Sequence, residues 1–462
     1  MMEMRQQQFT GNNKLLLGIV LGVITFWLFA QSLLNLVPTI QHSFSSSIGT
    51  TSIAISITAL FSGMFVVGAG SFADKLGRVK MTYIGLVLSI IGSLLIIATP
   101  FTSMLILGRI IQGLSAAAIM PSTLAIIKTY YQGSDRQRAL SFWSIGSWGG
   151  SGFASLFGGM IETAIGWRWI YIISIIVAIV AILLIKGTPE TKSNQTTNTR
   201  FDFLGLTLFV IMMLSINVVI TQSAKLGLFS PIILALIAVF IISTIIFVRV
   251  EMKMHHPLID FKLFNNKAYT SATISNFMLN GVAGTLIVAN TFVQQGLGFS
   301  TFHTGLLSIT YLITVLLMIR VGEKILQKVG ARKPMLLGTA LNMVGILLIS
   351  FTFLSSQMYV VVCVIGYLLY GLGLGFYATP STDTAISNSP EDKVGVASGI
   401  YKMASSLGGA FGIALSGTIY GIGAAMVNIN FGAMLGLWLN ILMAIISFIV
   451  ILIGVPKQQS KS

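Results

Sequence analysis

Long apolar runs follow one another along this chain, separated by short polar segments that hold most of its charges. A helix needs about 20 apolar residues to cross the hydrocarbon of a bilayer. Runs of that size occupy 15–37, 50–72, 81–99, 104–127, 139–161, 169–186, 203–222, 230–249, 269–293, 304–321, 334–354, 358–382, 395–421 and 432–455. The pattern predicts an all-α transmembrane protein with fourteen helices. The first run is longer than the apolar core of a secretory leader, and no clear small-residue cleavage site follows it, so it reads as a retained span.

Charge gives the expected topology. With the N-terminus placed inside, the cytoplasmic segments and adjoining helix ends hold 24 of the 27 basic residues, Lys402 among them. The outer side holds Arg168 and Lys225, and Arg109 is left within a span. This asymmetry fits a multi-pass protein of the cell membrane with both termini cytoplasmic.

Composition narrows the class further. Only 8% of the 462 residues are charged and 55% are hydrophobic, whereas soluble domains carry about 25% charged residues. The net charge of +15 falls in clusters between apolar runs. It therefore reads as topology rather than a nucleic-acid surface. One cysteine, Cys363, excludes an intrachain disulfide or a Cys-based metal site. The histidines His42, His255, His256 and His303 lie between runs. The pair His255-His256 reads as a polar loop end before Pro257; the alternative is a metal ligand pair, and no metal is expected.

The chain also repeats itself. GRIIQGLSAAAIMPSTLAI from Gly108 is echoed by GYLLYGLGLGFYATPSTDTAI from Gly366, an offset of 258 residues. One insertion aligns Pro121-Ser122-Thr123 with Pro380-Ser381-Thr382. Ala139, Trp143, Ser147, Gly150 and Phe153 then align with Ala397, Tyr401, Ser405, Gly408 and Phe411. Helices four and five thus correspond to twelve and thirteen. The predicted layout is a six-helix half over 1–200, two additional central helices with their loops over 201–266, and a second six-helix half over 267–462. Parallel repeats about an axis along the membrane normal are a transporter architecture.

Three motifs sit on this frame. Gly70-Ser-Phe-Ala-Asp74-Lys75-Leu-Gly77-Arg78-Val-Lys80 joins helices two and three with the spacing Gly-x-x-x-Asp-(Arg/Lys)-x-Gly-(Arg/Lys). Gly77 permits a tight turn, and a carboxylate at Asp74 is favoured near a helix N-terminus. A weaker echo runs from Leu326 to Lys333. Arg109-Ile-Ile-Gln112-Gly113 lies in helix four, and Gly149-Gly150 to Gly158-Gly159 lies in helix five.

These segments resemble motifs A, B and C of the major facilitator superfamily. The third is degraded, because Ala154-Ser155 stands where the family has Gly-Pro. Over nearly its whole length the chain is similar to the fourteen-span drug/proton antiporter branch. NNKLLLGIVLGVITFWLFAQSL, DRQRALSFWSIGSWGGSGF and HPLIDFKLFNNKAYT look like segments of its NorB/NorC quinolone efflux group. The resemblance implies export of amphipathic drugs such as fluoroquinolones, driven by proton entry, by a monomer in the lipid bilayer. It implies no cofactor beyond the proton gradient, and the sequence has no Walker A pattern. The alternatives are a nutrient or metabolite transporter of the same fold, or a non-transport membrane protein; an enzyme is not expected.

The residues themselves say something narrower. Arg109 is a charge inside a span, so it is expected to face the interior with a partner. It either tunes a nearby acid or anchors helices through backbone carbonyls. Proton coupling needs an acid, and Glu162, Glu323 and Asp383 lie at or near spans. Asp383 aligns with Leu124, so the repeat does not require an acid there, and it leads the list. The competing readings are a solvated carboxylate for Asp383 and a pair with Arg168 for Glu162. Helix one lacks the acid that many relatives carry, which puts strong binding of permanent cations in doubt. Trp27, Gln31, Asn35, Trp143, Asn276, Asn280, Asn290 and Tyr370 are candidate pocket residues. Their alternative role is packing and hydrogen bonding between helices.

Overall fold

A computed structural model describes residues 9–45, 48–193, 202–227, 229–254, 257–299 and 301–457. The chain forms two compact units. One comprises Met1–Asn198 with Ser389–Met403, the other Thr199–Asn388 with Ala404–Ser462. Among the described residues every regular element is helical.

The first part of the chain forms α1 (Asn13–Ile24), α2 (Val37–Phe44), α3 (Ile48–Leu76), α4 (Arg78–Ala98), α5 (Thr102–Tyr130), α6 (Gly133–Ser144), α7 (Gly150–Ile165) and α8 (Arg168–Ile185). There follow α9 (Phe203–Leu226), α10 (Pro231–Lys253), α11 (Lys267–Gly281), α12 (Gly284–Leu297), α13 (Thr301–Val329) and α14 (Arg332–Ile349). The last three are α15 (Ser356–Ser387), α16 (Val394–Met426) and α17 (Ile429–Gly454).

Twelve helices among the described residues are long and apolar enough to cross a membrane. The expected spans at 139–161 and 203–222 are also helical, as α6–α7 and as α9, but neither is among the twelve. Ile176 and Leu183 of α8, Ile241, Ile242 and Ile245 of α10, and Trp438, Leu442 and Ile449 of α17 all lie exposed. Apolar surface on this scale requires lipid rather than water around it.

Three expected spans, 15–37, 139–161 and 269–293, are not single α-helices. The run 15–37 passes from α1 into a π turn at Thr25–Ala30 and a 3-10 turn at Gln31–Asn35. The cause is close packing with helix five, which is itself broken by a π turn at Ile145–Gly149. A Cβ at Gly150 would lie 2.9 Å from Trp27 Cβ, and one at Gly158 would lie 2.8 Å from Ser32 O. The run 269–293 breaks at Val282–Ala283, between α11 and α12. Gly281 and Gly284 flank that break, and a Cβ at Gly284 would come within 2.7 Å of Gly412 O on α16.

The repeat has a physical basis. Gly92 of α4 and Gly108 of α5 meet backbone to backbone: a Cβ on either would lie 2.9 and 3.0 Å from the other's carbonyl oxygen. Gly345 of α14 and Gly366 of α15 do the same at 2.7 and 2.8 Å. Ile96 closes over Gly108 as Ile349 closes over Gly366. Small residues allow such approach where lipid supplies no hydrophobic drive between helices.

Enlarging these contacts must therefore separate the helices. Gly92→Leu and Gly345→Leu should each destabilise the protein by about 1–3 kcal/mol, the usual cost of overpacking. A melting curve of the detergent-purified variants checks this, and an unchanged midpoint would contradict it.

Candidate functional site

The motif between α3 and α4 is assembled around a buried ion pair. Asp74 Oδ1 accepts hydrogen bonds from Arg78 Nε at 3.1 Å and Nη2 at 3.0 Å. The same oxygen accepts from Gly395 N at 3.0 Å, while Oδ2 accepts from Val396 N at 3.1 Å. Those amides open α16, so the carboxylate sits on a helix N-terminus, where free amides and the helix dipole favour negative charge. The approach is permitted by Gly70 and Gly395, whose backbones touch.

Arg78 extends the network. Its Nη1 donates to Thr129 Oγ1 at 2.9 Å and its Nη2 to Glu391 O at 2.9 Å. Lys128 donates to the carbonyl and the hydroxyl of Ser389. Gly77 has φ 121, which permits the turn. Glu190, which sequence reasoning left among the loop acids, caps α4 by accepting from Val79 N at 2.9 Å and Lys80 N at 2.8 Å. Only its place after Pro189 hinted at a fixed position.

Arg109 is fully buried on α5. It donates to Ala54 O at 3.2 Å, to Ala30 O at 2.5 Å and to Gln112 Oε1 at 3.1 Å. Gln112 in turn donates to Ser93 Oγ at 3.3 Å. The guanidinium therefore ties helix four to helices one and two through their carbonyls. Gly113 allows the same close contact with α3, since a Cβ there would lie 2.6 Å from Thr58 O. In the other unit the aligned Tyr367 is also fully buried and donates to Asn290 Oδ1 at 3.0 Å. Both positions reach from the repeated helix to another helix of their own unit, Arg109 to helix one and Tyr367 to α12.

Of the helix-five glycines, Gly150 and Gly158 make the contact with helix one, Gly149 is buried, and Gly159 faces open space. Glu162 accepts from Thr39 Oγ1 at 3.4 Å. The expected pair with Arg168 is not formed. Arg168 lies 4.4 Å from the Trp167 ring and donates to Thr99 O at 3.3 Å. An aromatic face and a carbonyl take the place of the carboxylate.

Among the pocket candidates, Trp143 is buried and donates its Nε1 to Thr123 Oγ1 at 3.0 Å. Gln31 is buried at 9% exposure. The side chain of Asn35 and the pair His255-His256 lie outside the described residues. Between the rings of Trp27 and Trp143 stands Lys402, its Nζ 5.5 and 4.9 Å from their centroids. Charge alternation assigned Lys402 to the cytoplasm. It is instead 6% exposed in the third turn of α16. The signal was present, since position 402 falls inside the predicted run 395–421.

The remaining candidates are in the second unit. Asn276 donates to Ser405 Oγ at 2.6 Å, and Asn280 donates to Asn276 Oδ1 at 2.8 Å. Tyr370 donates to Val282 O at 3.1 Å, at the break between α11 and α12. Glu323 is buried, pairs with Arg320 and accepts from Gln327 Nε2 at 3.1 Å. Asp383 is buried rather than solvated, because it lies on the inner face of α15, and it accepts from Ser387 Oγ at 3.1 Å. Glu251, which is not among the candidates, is buried in the last turn of α10, where it accepts from Ile259 N at 2.9 Å. Asp202 lies beside it at Gly205.

A helical membrane fold with glycine-matched halves and an acid held on a helix N-terminus defines a class, and comparison with known proteins gives the same class. The chain belongs to the Major Facilitator Superfamily, whose model matches residues 19–413 and, in a second match, 268–462. It is 64% identical over 453 residues to the quinolone resistance protein NorB of Staphylococcus aureus strain MRSA252, covering 98% of each chain. The NorB of strain COL matches with the same identity and coverage. Among solved structures, the proton:xylose symporter XylE aligns with a TM-score of 0.66 at 16% identity, covering 97% of each chain. The human organic anion transporter MFSD10 aligns with a TM-score of 0.66 at 13% identity, covering 95% of this chain and 98% of that one. The fold and the relatives are those of transporters, not enzymes.

The ion pair on α16 makes a quantitative prediction. Asp74→Asn and Arg78→Ala should each cost about 3–5 kcal/mol, because each leaves a buried charge or its donors unmatched. The double variant should cost clearly less than the sum of the two. Denaturation of all four proteins gives the coupling; strict additivity would mean that the two groups act independently.

Proposed function

We propose that this protein exports amphipathic drugs, fluoroquinolones among them, across the cell membrane by proton-coupled antiport with alternating access. The observation that carries the reading is the 64% identity, over 98% of both chains, to proteins named for quinolone resistance. In this reading the chain has fourteen spans, the two beyond the twelve being α6–α7 and α9. It is divided into a half over 1–200, a central pair over 201–266 and a half over 267–462. Both termini are cytoplasmic, and the working unit is a monomer.

The geometry suits the reading. A carboxylate held by two amides at the start of α16 is a latch that opens and closes as a unit, because both bonds depend on one carboxylate position. Arg109 serves as the anchor that keeps helices one, two and four together through the cycle. Asp383 and Glu323 are the proton-coupling candidates on the second unit, and Glu162 is the gating candidate on the first. Asp383 leads these candidates, because its repeat partner Leu124 shows that the fold does not require an acid at that position. Trp27, Gln31, Asn35 and Trp143 are the drug-contact candidates of one unit, and Asn276, Asn280, Asn290 and Tyr370 are those of the other, each set taken by itself.

Inside-out vesicles containing the protein should accumulate a fluoroquinolone when a pH gradient is imposed. Dissipating the gradient should abolish accumulation, and transport that persists without a gradient would sink the proton coupling.

Asp383→Asn should retain drug binding but lose at least about tenfold in gradient-driven uptake, the scale at which a positioned proton-transfer group acts. Drug-induced proton release from the same vesicles reads this directly. Unaltered release would remove Asp383 from the coupling step.

A further inference from the structure

Lys402 brings an ammonium group into a span, and among the described residues no carboxylate pairs with it. Its contacts among the described residues are the faces of Trp27 and Trp143, at 5.5 and 4.9 Å. A buried charge without an ionic partner is unfavourable, and cation–π contact recovers only part of what is lost. A second donor at the same place is also unmatched: Trp27 Nε1 is buried and has no acceptor among the described residues. Trp143 Nε1, by contrast, is committed to Thr123 Oγ1.

The backbone beneath both indoles is unusual. Trp27 lies in the π turn Thr25–Ala30, and Trp143 lies just ahead of the π turn Ile145–Gly149. Such turns collect at functional sites, because the widened turn re-aims the side chains on it. Two apolar ring faces, one ammonium and one free indole N–H together make a receptor for a flat aromatic molecule that carries an anionic oxygen.

We propose that Lys402 binds the carboxylate of the transported drug, with Trp27 and Trp143 as platforms for its ring system. The inference rests on the drug-export reading above and deepens it by naming the substrate class: aromatic carboxylates and zwitterions. In the bound state the carboxylate accepts from Lys402 Nζ, and the ring system takes up the indole faces that now meet the ammonium group. A charge-assisted bond in a dry site is worth about one to two orders of magnitude in affinity. The absence of an acid in helix one is consistent with this selection, since the charge presented to the drug is positive.

The test measures equilibrium binding of norfloxacin and of its decarboxylated analogue to the purified full-length protein, to K402Q and to K402R. The wild type should bind norfloxacin at least about tenfold more tightly than the analogue. K402Q should weaken norfloxacin by a similar factor and leave the analogue within about twofold, and K402R should retain most of the preference. Equal weakening of both ligands by K402Q would make Lys402 a structural residue, and no weakening of either would overturn the proposal outright. Should K402Q fail to fold, the wild type alone still decides, because equal affinity for the two ligands is incompatible with a carboxylate contact. A wild type that binds neither ligand would sink the quinolone reading and this inference together. A wild type that binds both without preference would sink the inference alone.

Discussion

A helix in hydrocarbon satisfies its own backbone, but it has nothing to offer a buried charge except its ends and the carbonyls of its neighbours. Most of this structure follows from that constraint. Asp74 is held by the two amides that open α16 together with one guanidinium. Arg109 is held by the carbonyls of Ala30 and Ala54. Neither arrangement is possible unless helix backbones come unusually close, and the glycines at 70, 113 and 395 allow it. Charge placement and small-residue packing are therefore one requirement rather than two.

Much of this was legible in the sequence, because the same constraint is written in residue types. Runs of apolar residues located the helices. The offset of 258 residues that joins Gly108 to Gly366 joins two glycine contacts of the same geometry, each closed by an isoleucine. The motif around Asp74 announced a carboxylate seeking a helix N-terminus. What local spacing cannot reveal is which N-terminus, since the amides that receive it lie more than three hundred residues further along. The Glu190 cap was hidden for the same reason. Its partners are the first amides of α4, and nothing in the sequence around Glu190 records them.

The breaks within helices were illegible for a different reason. Apolar residues dominate the runs 15–37 and 269–293 despite their scattered amides and hydroxyls, so hydropathy treats each as one rod. The π turn at Thr25–Ala30 arises with helix five pressing its glycines onto helix one, and the break at Val282–Ala283 arises where α16 crowds α11 and α12. Both are tertiary effects overriding a uniform local preference. They fall at Trp27 and beside Tyr370, two residues that the sequence nominated for the drug site.

Arg109 and Lys402 show how far the rule that intramembrane charges are functional can be refined. Both are buried cations on long helices, and both satisfy the sequence-level criterion for interest. Arg109 has a rigid fork, and the carbonyls it reaches lie on two other helices, so its donors serve to hold those helices in place. Lys402 has a flexible stem and a compact charge, and among the described residues its surroundings supply ring faces but no acceptor. A matched cation is part of the scaffold, while an unmatched one leaves an interaction to be completed by something that arrives. The distinction depends on the partners rather than on the charge. For that reason the sequence could single out Arg109 as the charge to watch and yet count Lys402 with the cytoplasmic segments and helix ends.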